Sequence, residues 1–216
     1  MSRSGRNEDD YLPGWPVRSR CSAVNLAVPS PAQRDDDIDS ITLYSIGHSN
    51  RSIDDFLSLL GAHGIEQLVD VRTAAGSRRN PQFMKDVLAR ALGQRGITYI
   101  HVPELGGFRR PLPESTNSAW RNDSFRGYAD YMRTPAFMTA LEQLLKLTER
   151  QPTTVMCAEA VPWRCHRSLI ADAVVARGLA VCHIASLKRC NPHTLTSFAQ
   201  VVNMRVTYPG EESANH

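Results

Sequence analysis

The chain has 216 residues, 42% hydrophobic and 22% charged, with a formal net charge of +3. That length and balance suit one ordinary domain with a core and exclude a disordered chain. No window holds the roughly 20 continuous apolar residues of a membrane helix, and the N-terminus lacks the apolar stretch of a secretory signal, so the cytoplasm is the expected location.

Five cysteines (Cys21, Cys157, Cys165, Cys182 and Cys190) are an odd number without Cys-x-x-Cys spacing, which argues against a disulfide framework or a ribbon-type zinc site. Reduced thiols are expected. The charge is unevenly spread: residues 71–110 carry eight Arg and Lys against Asp86 and Glu104, a segment suited to facing an anion.

Residues 1–40, rich in Pro, Ser and charge, show neither a twofold nor a 3.6-residue period and are expected to form a flexible arm. Trp15 and Val24 to Val28 are its docking candidates. A single α/β domain is expected over 41–204, with a tail over 205–216. ITLYSI (41–46) has the pattern of a buried strand, and Ser52 with Asp55 predicts a capped helix carrying Ile53, Phe56, Leu57 and Leu60 on one face. EQLVDV (66–71) is the second strand. Pro81 opens a helix with Phe83, Val87, Leu88, Ala91 and Leu92, Gly96 ends it, and ITYIHV (97–102) is the third strand.

Residues 103–123 are a long irregular loop, of a length that is usually functional or mobile. A short helix is expected around Gly127 to Met132, and Thr134 caps another that begins at Pro135. TTVMC (153–157), a seven-residue loop, a helix from Cys165 to Arg177 and AVCHI (180–184) follow, with a last helix expected over Leu195 to Val202. Alternating strands and helices predict a three-layer α/β fold: a mostly parallel five-stranded sheet with helices on both faces. Such sheets bind ligands beyond the carboxyl ends of their strands. The expected ends carry His48 and Ser49, Asp70 and Arg72, His101 and Glu104, Cys157 and Glu159, and His183.

SIGHSN (45–50), DVR (70–72) with SRRNPQF (77–83), YIHVPELGG (99–107), FRGYADYM (125–132), and CAE with CHRSLIAD (157–172) resemble the family catalogued as domain of unknown function 488, over residues 41 to about 185. The resemblance implies an α/β domain and marks His48, Asp70, Arg72, Arg78, Cys157, Glu159, Cys165, His166 and Arg167 as site candidates. It departs at TAAG (73–76), where a proline is expected before the Ser-Arg pair. Some relatives look like components of prokaryotic nucleic-acid or defence systems.

Cys157 is the sharpest candidate. A thiol at a strand end, facing a helix N-terminus and arginines, has its thiolate favoured; the alternative is a small buried hydrophobe. The strand, cysteine, loop, arginine and helix order is that of thiol phosphatases and sulfurtransferases. Six residues separate Cys157 from Arg164, however, the loop has no glycine, and Glu159 would repel a phosphate. Glu159 and Asp70 form either an acid and base pair or structural ion pairs with Arg72, Arg164 or Arg167. Zinc on His48, Cys157, Cys165 and His166 is disfavoured because Cys165 and His166 diverge by about 100° on a helix. His48 is expected to shuttle a proton, His183 to pack, and His63 and His193 to lie on the surface.

The function these residues suggest is an enzyme acting on an anionic substrate, a nucleotide or nucleic acid. Cys157 or Glu159 serves as nucleophile or base, with His48 and Asp70 beside them. Arg72, Arg78, Ser49, His101, Cys165, His166 and Arg167 hold the substrate. No cofactor or metal is implied. The alternative is a nucleotide or nucleic-acid binding module without turnover, with Phe83, Tyr99 and Phe108 as stacking faces.

Overall fold

The computed structural model describes residues 42–210; the expected arm and its docking groups lie outside them. Six strands form one sheet: β1 (Thr42–Gly47), β2 (Gln67–Asp70), β3 (Thr98–His101), β4 (Thr153–Cys157), β5 (Ala180–Ser186) and β6 (Arg189–Pro192). Their order is β3-β2-β4-β1-β5-β6, with the first five mutually parallel and β6 antiparallel to β5.

The helices are α1 (Ile53–Ala62), α2 (Lys85–Gly93), α3 (Asp123–Tyr131), α4 (Pro135–Thr148) and α5 (Arg167–Val175). Ser52 starts α1 as the spacing predicts: the Asp55 amide donates to its Oγ at 3.0 Å, and the hydroxyl donates to the Asp55 carboxylate at 2.7 Å. Thr134 caps α4 through the Phe137 amide. Pro81 begins a 3-10 turn ahead of α2, so that helix starts at Lys85.

Alternation along the strands sends side chains to two cores. Ile46, Leu68 and Met156 meet Phe56, Leu60, Leu88 and Leu92 from α1 and α2. Leu43, Val69, Val155 and Cys157 meet Tyr128, Phe137, Leu141, Leu169 and Ile170 from α3 to α5. The three-layer architecture therefore holds, with α1 and α2 on one face and α3 to α5 on the other. The chain leaves β1 and β2 toward the first face and leaves β4, which lies between them, toward the second. Divergent connections of this kind open a crevice at the carboxyl ends of neighbouring strands, and Cys157 ends the middle strand.

The sheet has six strands rather than the expected five. The sixth, RCNP, is a short edge strand ending in proline, and such a strand carries little periodic signal. Cys182 on β5 and Cys190 on β6 form a disulfide, which corrects the expectation of reduced thiols for this pair. The helix expected over Leu195 to Val202 does not form. Gln200–Val202 is a strand, β7, paired antiparallel with β8 (Arg205–Thr207). Asn203 and Met204 between them both have positive φ, 50° and 61°, as a two-residue hairpin turn demands. The segment assigned to a tail instead covers α5: Val206 and Tyr208 join the core, and every residue of α5 from Arg167 to Val174 is buried. Among the described residues no helix is long and apolar enough to cross a membrane.

Candidate functional site

At the carboxyl ends of β1, β2 and β4 lies a cleft of about 500 Å³, within the range of small-molecule sites. Six of the eleven candidates line it: His48, Arg72, Cys157, Glu159, Cys165 and His166. The other five stand behind or beside it. Asp70, fully buried, holds Arg72 by a fork from Nε and Nη2 and accepts from Tyr99 Oη at 2.8 Å. Burial and the Asp70 carboxylate raise the Tyr99 hydroxyl well above its ordinary range. Asp70 is thus ion-paired with Arg72, whereas Glu159 makes no ion pair with a described arginine and meets Arg167 only through its backbone carbonyl. His101 Nε2 donates to the Arg72 carbonyl at 2.9 Å. Ser49 accepts from His48 Nδ1 through its carbonyl at 2.8 Å. Arg78 is exposed beside Ser77 of the rim.

His48 is nearly inaccessible and stacks on Phe83, with ring centroids 4.3 Å apart. Because Nδ1 donates to a carbonyl, the neutral ring presents Nε2 as an acceptor, 3.4 Å from Arg72 Nη1. Burial and Arg72 lower its pKa, while the Ser49 carbonyl opposes them. Its imidazole is therefore held neutral at neutral pH.

The thiols are the centre of the cleft. Cys157 Sγ and Cys165 Sγ are 2.7 Å apart. Burial and the neighbouring sulfur push the Cys157 thiol up. The hydrogen bond from Cys157, aided by His166 and Arg167, draws Cys165 well down against burial. The two sulfurs therefore titrate as a coupled pair in which Cys165 gives up its proton first. His166 Nε2 donates to the Val71 carbonyl at 3.4 Å, and its Nδ1 stands 3.5 Å from Cys165 Sγ, placed to take that proton.

Arg167 does not line the cleft, which corrects the expectation that it holds substrate. It is 1% exposed and spends its fork beneath the thiols: Nε donates to Cys157 Sγ at 2.8 Å, Nη1 to Ser45 Oγ at 3.0 Å and Nη2 to the Glu159 carbonyl at 2.7 Å. No carboxylate among the described residues pairs with it, so its charge acts on the sulfurs. Gly47 makes room for it, since a Cβ there would lie 1.8 Å from the Glu159 carbonyl oxygen and 2.9 Å from Arg167 Nη2.

A chain of hydrogen bonds continues from Arg167 to a second buried charge. Asp172 can only accept, so His193 donates to it through Nε2 at 2.8 Å. His193 Nδ1 in turn hydrogen-bonds His183 Nε2 at 3.0 Å, and His183 Nδ1 the Ser45 hydroxyl at 2.9 Å. The Ser45 lone pair is left for Arg167. Thr196 and Tyr208 Oη also donate to Asp172. His193, expected at the surface, is a link in this chain, with a side chain only 7% exposed.

The sequence reasoning left three parts of the site out of its candidate set, although it weighed Arg164 as an ion-pair partner and Phe108 as a stacking face of a binding module. Arg164 lines the cleft with an exposed side chain; its place in the Cys157 loop was the available signal. Phe108 stands at the mouth, 93% exposed and at φ 60°, a backbone region that non-glycine residues seldom occupy. Ser45 faces inward from the middle of β1, and only the folded neighbours reveal its role. The departing loop at 73–76 is anchored by Thr73 Oγ1 donating to the Gly107 carbonyl and by the Lys85 amide donating to Ala75. Among the described residues no group of three or more His, Cys, Asp or Glu is placed to hold a metal.

A family model described as Domain of unknown function DUF488 matches residues 52–174, a span that contains all the cleft-lining candidates except His48. No curated protein and no solved structure matches the chain.

Proposed function

Because the chain belongs to the DUF488 family, whose description assigns no activity, we propose from the site itself that this protein is a thiol-dependent enzyme acting on a small anionic substrate of the nucleotide class. The observation that carries the proposal is the contact between the buried Arg167 guanidinium and a pair of touching thiols inside a ligand-sized cleft. A buried cation without a carboxylate is costly unless something negative meets it. Here the sulfurs meet it, and a thiolate is the form of cysteine that attacks.

The surroundings divide the work. Cys165 is the nucleophile, Cys157 its hydrogen-bonding partner, and His166 the acceptor of its proton. His48 is a second neutral base across the cleft, and Glu159 is an exposed carboxylate at the same rim. Arg72 and Arg164 supply positive charge on the wall, with Arg78 just outside, and the exposed Phe108 ring offers a face on which a base can stack. Phosphate hydrolysis through a phosphatase loop is not the reaction proposed, because Glu159 stands where such a loop would cradle the anion.

The test combines binding with product analysis. Wild type, Cys165→Ser and Arg72→Gln proteins are mixed with a panel of nucleotides and short single strands at two salt concentrations, and the mixtures are separated by chromatography. Product from wild type alone, with binding weakened in Arg72→Gln, supports the enzyme. Tight salt-dependent binding without product from any protein would instead identify a binding module.

A further inference from the structure

A single nucleophilic thiolate needs one cysteine, yet two share this cleft. Cys157 comes from the end of β4 and Cys165 from the turn before α5, so the sheet and the helix bring them together across a seven-residue loop. Their sulfurs lie 2.7 Å apart, less than 1 Å beyond a bond of about 2.05 Å. We propose that Cys157 and Cys165 form a redox-active dithiol that reduces small anionic disulfides or persulfides entering the cleft. The dithiol rests on the two sulfurs alone; only the preference for an anion rests on the function proposed above.

The steps balance with groups already in place. Cys165 passes its proton to His166 Nδ1, and its thiolate attacks one sulfur of a substrate RS–SR′. A mixed disulfide, Cys165–S–S–R′, forms, and RS⁻ leaves with the proton from His166. With Cys165 held in the mixed disulfide, Arg167 Nε still donates to Cys157 Sγ and favours its ionisation. Cys157 attacks the Cys165 sulfur, forms the Cys157–Cys165 disulfide and expels R′S⁻, which takes the Cys157 proton. Two electrons pass from the protein to the substrate, and two thiols leave. An external dithiol returns the electrons by the reverse exchange.

Arg72 and Arg164 on the wall select the substrate class, a disulfide that carries carboxylates or phosphates. The Cys182–Cys190 disulfide lies across β5 and β6 and takes no part.

The decisive measurement uses the full wild-type chain, so it does not depend on whether a variant folds. The protein is equilibrated with graded ratios of reduced and oxidised dithiothreitol, quenched in acid, alkylated and mapped by peptide mass spectrometry. The expected result is one two-electron transition that links the Cys157 peptide to the Cys165 peptide and leaves Cys21 alkylated. Absence of that link at every ratio overturns the dithiol. In parallel, turnover of glutathione disulfide and of neutral hydroxyethyl disulfide is followed with dithiothreitol as reductant. Cys165→Ser is expected to lose at least tenfold, and Cys157→Ser to accumulate the mixed disulfide on Cys165. Turnover in Cys165→Ser equal to wild type overturns the assignment. Equal rates on the two substrates leave the dithiol standing and overturn the anion preference.

Discussion

Replacing Arg167 by Met tests the electrostatic heart of the site. The substitution keeps a long apolar stem and removes the cation that donates to Cys157 Sγ at 2.8 Å, with Cys165 Sγ 2.7 Å further on. Taking the charge centres as roughly 5–6 Å apart and an effective dielectric of about 20, the lost attraction is on the order of 3 kcal/mol. That corresponds to about a hundredfold in the ionised fraction of the pair. A more basic thiolate is also a better nucleophile, which returns about tenfold of the loss. The alkylation rate of Cys165 by iodoacetamide at neutral pH is therefore expected to fall roughly tenfold, with its pH midpoint moved upward. Mass spectrometry of the Cys165 peptide measures both. Arg167→Lys, which retains a charge but not the fork, is expected to fall between Met and wild type, and Ser45→Ala, which removes one acceptor of the fork, serves if neither variant folds. An Arg167→Met protein that remains folded by circular dichroism and alkylates within twofold of wild type from pH 5 to 9 refutes the reasoning.

Three further outcomes follow from the packing around this centre. Burial, then His193 and Arg167, lower the His183 pKa to about 4 against the pull of Asp172. Below the ordinary value of 6.5 the unfolded chain takes up a proton that native His183 refuses, so stability present above pH 6.5 is lost as the pH falls toward 4, by up to about 3 kcal/mol. Urea unfolding at pH 7 and 4.5 measures this, and His183→Gln should lose correspondingly less than wild type; equal losses would contradict the assignment. Gly47→Ala drives a Cβ into the Glu159 carbonyl and should cost about 3 kcal/mol or more, so a melting temperature within 2 °C of wild type would argue against the close approach. Tyr208→Phe removes a buried hydrogen bond of 2.8 Å to the Asp172 carboxylate, an expected loss of about 1.5–3 kcal/mol that denaturant titration would detect or deny.

The order of strands and helices was legible because each element that packs on the sheet repeats its apolar residues at its own period. Phe56, Leu57 and Leu60, or Val155 and Cys157, fall where that period places them. The crevice was legible for the same reason, since strand ends can be located once strands are. What stayed hidden was the identity of the residues that later segments cover. Arg167 opens a helix and looks like an anion holder, and only the folded approach of Ser45, Cys157 and the Glu159 carbonyl takes up its fork and buries it. His193 and Asp172 belong to different elements, with no shared spacing to link them. The hairpin at 200–207 was mistaken for helix because its three-residue strands are too short to show alternation. Asn203 at the turn was the cue. Cys190, read as a free thiol, faces Cys182 only because β6 folds back as an edge strand.

The cap over α5 bears on how the protein is made. Synthesis proceeds from the N-terminus, so both cysteines and the guanidinium beneath them emerge before Tyr208, the last of the four groups that donate to Asp172. Until then the far end of the polar relay stands open to water, and the nascent chain carries its sulfurs without their finished surroundings. The hydrogen-bonded surroundings of the two sulfurs are thus complete only once residue 208 has been made and folded back over α5.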